Sequence, residues 1–197
     1  MSAMAAEKKS WTAQEYLAWE RQQPEKHEFH DGEVFAMAGA TFEHNQIVAN
    51  TLRELSTALR DKPCQVCASD LRVKVPATGL YTYPDSSVVC GRPEFEDGTL
   101  DTLLNPLVLV EVLSESTKDY DRGTKFTNYR TITSLREYLL ISSDQVLVEH
   151  YSRGDDGLWV LRDHRAGERF ALPSVGCELA VDELYLKVFD TPAATEG

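Results

Sequence analysis

The sequence predicts a mixed α/β (α+β) architecture, and three observations carry that expectation. Behind Thr41, apolar side chains recur at helical period through residues 47–59. Residues 107–113 (Leu-Val-Leu-Val-Glu-Val-Leu) form a near-continuous apolar run, the pattern of a strand buried on both faces. Around them lie short runs rich in Val, Cys and Tyr, separated by turn residues, so helices both precede and interrupt strands.

Taken in order, residues 1–9 read as a tail. Ser10 or Thr12 then caps a short amphipathic helix carrying Tyr16, Leu17 and Trp19, ending before Pro24. His27-Glu28-Phe29-His30 and residues 33–37 flank Asp31-Gly32, a strong hairpin signal. The helix opened by Thr41 buries Ile47, Val48, Thr51, Leu52, Leu55, Ala58 and Leu59. One turn back along that stripe stands His44, pointing inward at the helix's N-terminal end. After Pro63, residues 64–68, 71–75 and 83–90 read as strands, followed by a loop of mixed charge over 91–105. Beyond the apolar run, residues 123–131 read as a second helix. Residues 135–141, 146–152 and 157–163 read as strands, the last two joined by an Asp155-Asp156-Gly157 turn, and 181–189 as a closing helix before a tail at 190–197. No repeat or linker divides the chain, so residues 10–189 are expected as one domain.

Of the 197 residues, 42% are hydrophobic and 26% charged, an ordinary globular composition. No apolar run approaches the ~20 residues of a membrane helix. The N-terminus lacks the apolar segment of a secretory signal, so a cytoplasmic protein is expected. The four cysteines, Cys64, Cys67, Cys90 and Cys177, show no disulfide-framework spacing. Cys64-Gln-Val-Cys67 lies in a strand-like run, which turns its two thiols to opposite faces and makes core packing the expected role. A net charge of −12 argues against a surface coated with basic residues for nucleic acid. It leaves room for an enzyme that grips nucleic acid through bound cations and one local basic patch, for which Lys118, Arg122, Lys125, Arg130 and Arg136 are the candidates. No Gly-x-Ser-x-Gly elbow and no glycine-rich phosphate loop is present.

Glu111 has to be explained, because an ionised carboxylate in a buried strand costs several kcal/mol unless paired or bound to a metal. A structural ion pair and a metal ligand both satisfy that requirement. Asp85 shifts the balance: Tyr83-Pro84-Asp85 enters a second apolar strand, and two carboxylates on adjacent core strands repel unless a cation lies between them. Hard divalent ions prefer such oxygen ligands, and a metal so held activates water and stabilises charge on phosphate. Alternation puts residue 113 beside Glu111, where a lysine would assist, but residue 113 is Leu. A cation must come from elsewhere, and Lys125 lies early in the next helix, one turn before Tyr129 on the same face.

The order and spacing of these residues resemble the PD-(D/E)XK phosphodiesterase superfamily in its variant with a migrated lysine. More closely, the chain resembles the Uma-two family of putative restriction endonucleases. The matching stretches are His27-Glu28-Phe29-His30-Asp31-Gly32-Glu33, Glu43-His44-Asn45, Ser69-Asp70-Leu71-Arg72-Val73 and Tyr83-Pro84-Asp85. They continue through Val110-Glu111-Val112-Leu113-Ser114-Glu115-Ser116-Thr117, Asp121-Arg122-Gly123-Thr124-Lys125-Phe126 and Leu135-Arg136-Glu137-Tyr138. The resemblance spans about residues 12–188. It implies a restriction-endonuclease-like mixed central sheet flanked by helices, with β-hairpins added. It further implies Asp85 and Glu111 as the metal pair, Glu28 as an acid completing the site, Lys125 as the catalytic lysine and His44 as a catalytic-pocket histidine. Mg²⁺ or Mn²⁺ as cofactor, DNA as substrate and a homodimer follow from the same resemblance. Ser86 and Ser87 stand where apolar residues are expected after Asp85, which predicts a partly exposed strand there. The rival to a nuclease is a catalytically inactive nuclease-like scaffold for nucleic-acid or protein binding, which the net charge favours and an intact acid–acid–lysine set disfavours.

Overall fold

A computed structural model describes residues 10–37, 39–115 and 117–189; the expected tails at 1–9 and 190–197 lie outside the described residues. Local chemistry sets the N-terminal elements. Helix α1 (Ala13–Glu20) begins where the Thr12 hydroxyl accepts the Glu15 N–H and the Glu15 carboxylate accepts the Thr12 N–H, so Thr12 is the cap. Strands β1 (His27–His30) and β2 (Glu33–Ala36) reverse through Asp31 and Gly32, both left-handed at φ 50° and 79°, which is why Asp-Gly occupies the turn. Helix α2 (Phe42–Ala58) starts as expected at Thr41, whose side chain accepts the His44 N–H.

The larger sheet contains β3 (Cys64–Ala68), β6 (Ser86–Cys90), β8 (Val108–Leu113), β9 (Glu137–Ser142), β10 (Leu147–Arg153) and β11 (Trp159–Arg165). Its order is β11-β10-β9-β8-β6-β3, with β8 and β9 parallel and the other neighbours antiparallel. A second, five-stranded sheet runs β2-β1-β5-β4-β7, where β4 is Arg72–Val75, β5 is Leu80–Thr82 and β7 is Thr102–Leu103. A hairpin of β12 (Arg169–Leu172) and β13 (Cys177–Ala180) completes the β structure.

Alternation along β8 sorts its side chains into two cores. Val108, Val110 and Val112 face Ile47, Leu55 and Leu59 of the α2 region and Phe170, Leu172 and Leu179 of the small hairpin. Leu109 and Leu113 face the other way, onto Tyr129, Leu135 and the second sheet's Val73, Val75 and Leu80. A third cluster joins Tyr16 and Leu17 of α1 to Phe29 and Tyr81. Glu111 shares the face of Leu109 and Leu113, so it lies between the two sheets.

Several expectations need correction. Residues 83–90 are not one strand: Tyr83-Pro84-Asp85 crosses from the smaller sheet to the larger, and β6 starts only at Ser86. Ser86 and Ser87 are buried, because β3 and β8 cover that strand on either side. The second helix begins at Lys118, before the expected 123, and the closing helix covers only α5 (Val181–Leu184). Strand β7 and the β12–β13 hairpin fall in stretches with no strand signal. Cys64 does not merely pack: it is disulfide-bonded to Cys90, its direct cross-strand partner, leaving Cys67 and Cys177 as free thiols. The bonded pair is thus not the Cys-x-x-Cys. No helix among the described residues is long and apolar enough to cross a membrane.

Candidate active site

Glu111 sits in the middle of β8 at 4% exposure. Facing it is a helical segment of three parts: α3 (Lys118–Tyr120), a π-turn (Asp121–Lys125) and α4 (Phe126–Tyr129). The wider turn of a π-helix displaces side chains from their ordinary α-helical positions. Here it brings both Asp121 and Lys125 inward, and each is almost fully buried. The Lys125 ammonium lies 3.0 Å from Glu111 Oε1, 3.1 Å from Glu28 Oε1 and 3.3 Å from Asp121 Oδ1. One cation thus serves three carboxylates. The Tyr129 hydroxyl donates to Glu111 Oε1 at 2.8 Å, and Glu28 accepts from Thr82 on one oxygen and from Tyr120 on the other.

Asp85 reaches the same place from the crossing between the sheets. The β6–β8 ladder pairs Ser86 with Val110, and beyond that point β6 has ended. The Val112 N–H therefore finds its acceptor in Asp85 Oδ2, at 2.7 Å. His44, in the first turn of α2, places Nε2 3.4 Å from that oxygen, while its Nδ1 is buried with no partner among the described residues.

Electrostatically the cluster holds more acid than base. Burial pushes the Glu111 carboxyl well above the ordinary value; Lys125 opposes this, and Asp121, Asp85 and Glu28 reinforce it. Burial also raises Asp121, against the pull of Lys125. Burial would lower the Lys125 ammonium, but Glu111, Glu28 and Asp121 outweigh it and hold that ammonium well above its usual range. Lys125 therefore stays charged, and Glu111 is the carboxyl of the cluster that burial penalises most.

The structure thus gathers all five sequence-named residues, Glu28, His44, Asp85, Glu111 and Lys125, around one cavity of about 650 Å³. Glu111 has a direct ion pair after all, but its partner is the candidate lysine itself. Sequence reasoning gave no role in the site to Asp121, Tyr120, Tyr129 or Thr82. The only available signal was that Asp121, Lys125 and Tyr129 recur at four-residue spacing. Of the five residues named for a basic patch, Lys118 is paired with Glu115, Arg122 is held by Glu149 and Lys125 is buried, while Arg130 and Arg136 are exposed.

No three His, Cys, Asp or Glu side chains among the described residues converge as a ready-made metal cage. Glu28 has both oxygens bonded already. Glu111 and Asp85 differ: both line the cavity, and the hydrogen bonds among the described residues fall only on Glu111 Oε1 and Asp85 Oδ2. Each so keeps one carboxylate oxygen uncommitted. Uncommitted carboxylate oxygens facing one cavity are the donor chemistry a hard divalent ion prefers.

Comparison with known proteins shows the family and the fold. A family model named Uma2 and described as "Putative restriction endonuclease" matches residues 13–182. Two uncharacterized proteins of Synechocystis are similar to the chain. One, slr1290, is 39% identical over 172 residues, covering 87% of this chain and 90% of that protein. The other, sll1609, is 39% identical over 160 residues, covering 81% and 90%. A crystal structure described as a putative nuclease belonging to DUF820, from Anabaena variabilis, superposes with a TM-score of 0.72 over 89% of this chain and 97% of that one. At 17% identity it shows a shared fold. With the family match running through nearly the whole described chain, this protein belongs to the Uma2 family of putative restriction endonucleases.

Proposed function

We propose that the protein is a divalent-metal-dependent endonuclease that hydrolyses phosphodiester bonds in DNA. One observation carries this reading: a buried, charged lysine is clamped among carboxylates at the foot of a cavity, beside two carboxylates with uncommitted oxygens. Structural ion pairs have no need of a cavity or of surplus acid. Asp85 and Glu111 are the residues that would hold Mg²⁺ or Mn²⁺. Such an ion, when bound, supplies Lewis-acid stabilisation of phosphate charge and an acidified water.

The chain's own groups do the rest. Lys125 presents a permanent positive charge to a non-bridging phosphate oxygen, in a water-poor setting where that charge counts for most. Tyr129 and Tyr120 hold Glu111 and Glu28 in orientation through hydroxyl donation. His44 steadies Asp85 through its Nε2. The same reading has the enzyme working in the cytoplasm as a homodimer, which sedimentation of the purified protein tests.

The purified protein should nick or cut DNA with Mg²⁺ or Mn²⁺, and Asp85→Ala should abolish the reaction. Indistinguishable behaviour of wild type and Asp85→Ala across substrates and metals would sink the proposal. The rival, an inert scaffold, draws on the three carboxylates already neutralising Lys125. Calorimetric titration with Mn²⁺ separates the two, because a scaffold shows no affinity that Glu111→Gln and Asp85→Ala remove.

A further inference from the structure

Pairing in the β1–β2 hairpin sets a row of side chains along one wall of the cavity. Glu28 lies directly opposite Phe35, and His30 is two residues along from Glu28, so all three share a face and line the cavity. The alternate positions, Phe29 and Val34, turn to the other side and join Tyr16 and Tyr81. Directly paired strand residues keep their Cβ atoms about 4.5–5.5 Å apart. The Phe35 ring therefore starts one side-chain width from the acid that holds Lys125.

Phe35 is an unusual aromatic for this molecule. Beneath it Tyr16, Phe29 and Tyr81 stack on one another, but Phe35 is 46% exposed and has no ring partner among the described residues. The His30 ring, beside it, has no hydrogen-bond partner among the described residues either. A flat apolar surface with a free polar edge, next to a phosphate-active cluster, matches a nucleobase. Charge points the same way. Duplex DNA is gripped chiefly through several Lys and Arg contacts to its phosphates. Here the net charge is −12, and the cations lining the cavity are Lys125, buried among acids, and Lys26, tied to Asp70 and Ser69. Unpaired strands add to their phosphate contacts the stacking of bases on aromatic side chains, a contribution that a duplex with its bases stacked inside does not offer.

We infer that Phe35 and His30 form a base-stacking subsite, and that the cluster acts on an unpaired nucleotide of single-stranded DNA. This rests on the nuclease reading of the neighbouring carboxylates. The test is binding of single-stranded and duplex oligonucleotides carrying 2-aminopurine, with Ca²⁺ in place of Mg²⁺, to wild type, Phe35→Ala and Phe35→Tyr. The single strand should bind on the order of tenfold tighter than the duplex, with 2-aminopurine fluorescence quenched. Phe35→Ala should lose the quench and weaken binding by a similar factor, and Phe35→Tyr should restore both. Equal quenching by wild type and Phe35→Ala, or equal affinity for duplex, overturns the inference. Cleavage with Mg²⁺ is scored separately. Stacking without cleavage retains the subsite and removes the nuclease reading; cleavage without stacking does the reverse.

Discussion

Lys125 and Glu111 touch, yet their replacement should have different consequences. Removing the ammonium leaves Glu111, Glu28 and Asp121 buried without a cation, so Lys125→Ala should cost about 3–5 kcal/mol in urea unfolding. Glu111 is held by Lys125 and Tyr129, and burial raises its carboxyl. Its folded carboxyl titrates well above the ordinary value, so its contribution to stability declines as pH rises from the ordinary carboxylate value toward the raised one. Glu111→Gln mimics the protonated form. It should flatten the decline of stability with rising pH, measured as urea midpoints from pH 5 to 9. A loss as large as that of Lys125→Ala would mean that Glu111 is ionised. Glu111 was legible because a charge in an apolar run demands a partner. Its partner was legible only as a cation on the next helix, because β8 and Lys125 are joined through space and not by strand alternation.

At the scale of elements, the π-turn decides which helical residues enter the site. Periodicity analysis assumes an α-helix, so it starts the second helix at 123 and places Asp121 before it. Gly123 lies in this turn, is exposed, and has open space where a Cβ would go. Gly123→Ala should therefore stabilise the protein by about 0.5–1 kcal/mol, seen as a raised Tm, without moving Lys125. The N-terminal capping box makes a second check: Thr12→Ala should cost about 1 kcal/mol through loss of its bond to the Glu15 N–H. That helix was readable because its cap and its apolar residues are adjacent in sequence. Strand β7, only two residues long, and β12 and β13, which pair only with each other, carry too little alternation to stand out.

Across the whole molecule, two long-range ties close the fold. The Cys64–Cys90 disulfide fastens edge strand β3 to β6 across a separation of 26 residues. Closing a loop of that length corresponds to about 3.5 kcal/mol in the chain-entropy account, so a reducing agent should lower the unfolding free energy by roughly that amount. The second tie joins the end of α1 to the loop and strand around β7: Arg21 bonds Asp101 and Asp97, each at 2.7 Å. Hydrogen bonding from Arg21, against partial burial, lowers the Asp101 carboxyl to about 2. A depressed carboxylate contributes above its unfolded value and is lost as pH falls through the folded one. Acid unfolding should therefore steepen between about pH 4 and pH 2 in wild type, and Arg21→Ala should remove that increment.

The sequence by itself determined the local elements whose signals are contiguous: the Thr41 cap, the Asp31-Gly32 hairpin, the buried strand around Glu111 and the acids that had to be compensated. Only the tertiary structure decided what compensates them. Asp85 caps an amide that β6 abandons, Asp121 enters through a π-turn, and Lys125 spans three acids drawn from β1, β8 and its own helix. The physical reason is the range of the interactions. Caps and turns are settled by neighbours in the chain, whereas a buried charge is settled by whichever groups the packed sheets bring within about 4 Å of it.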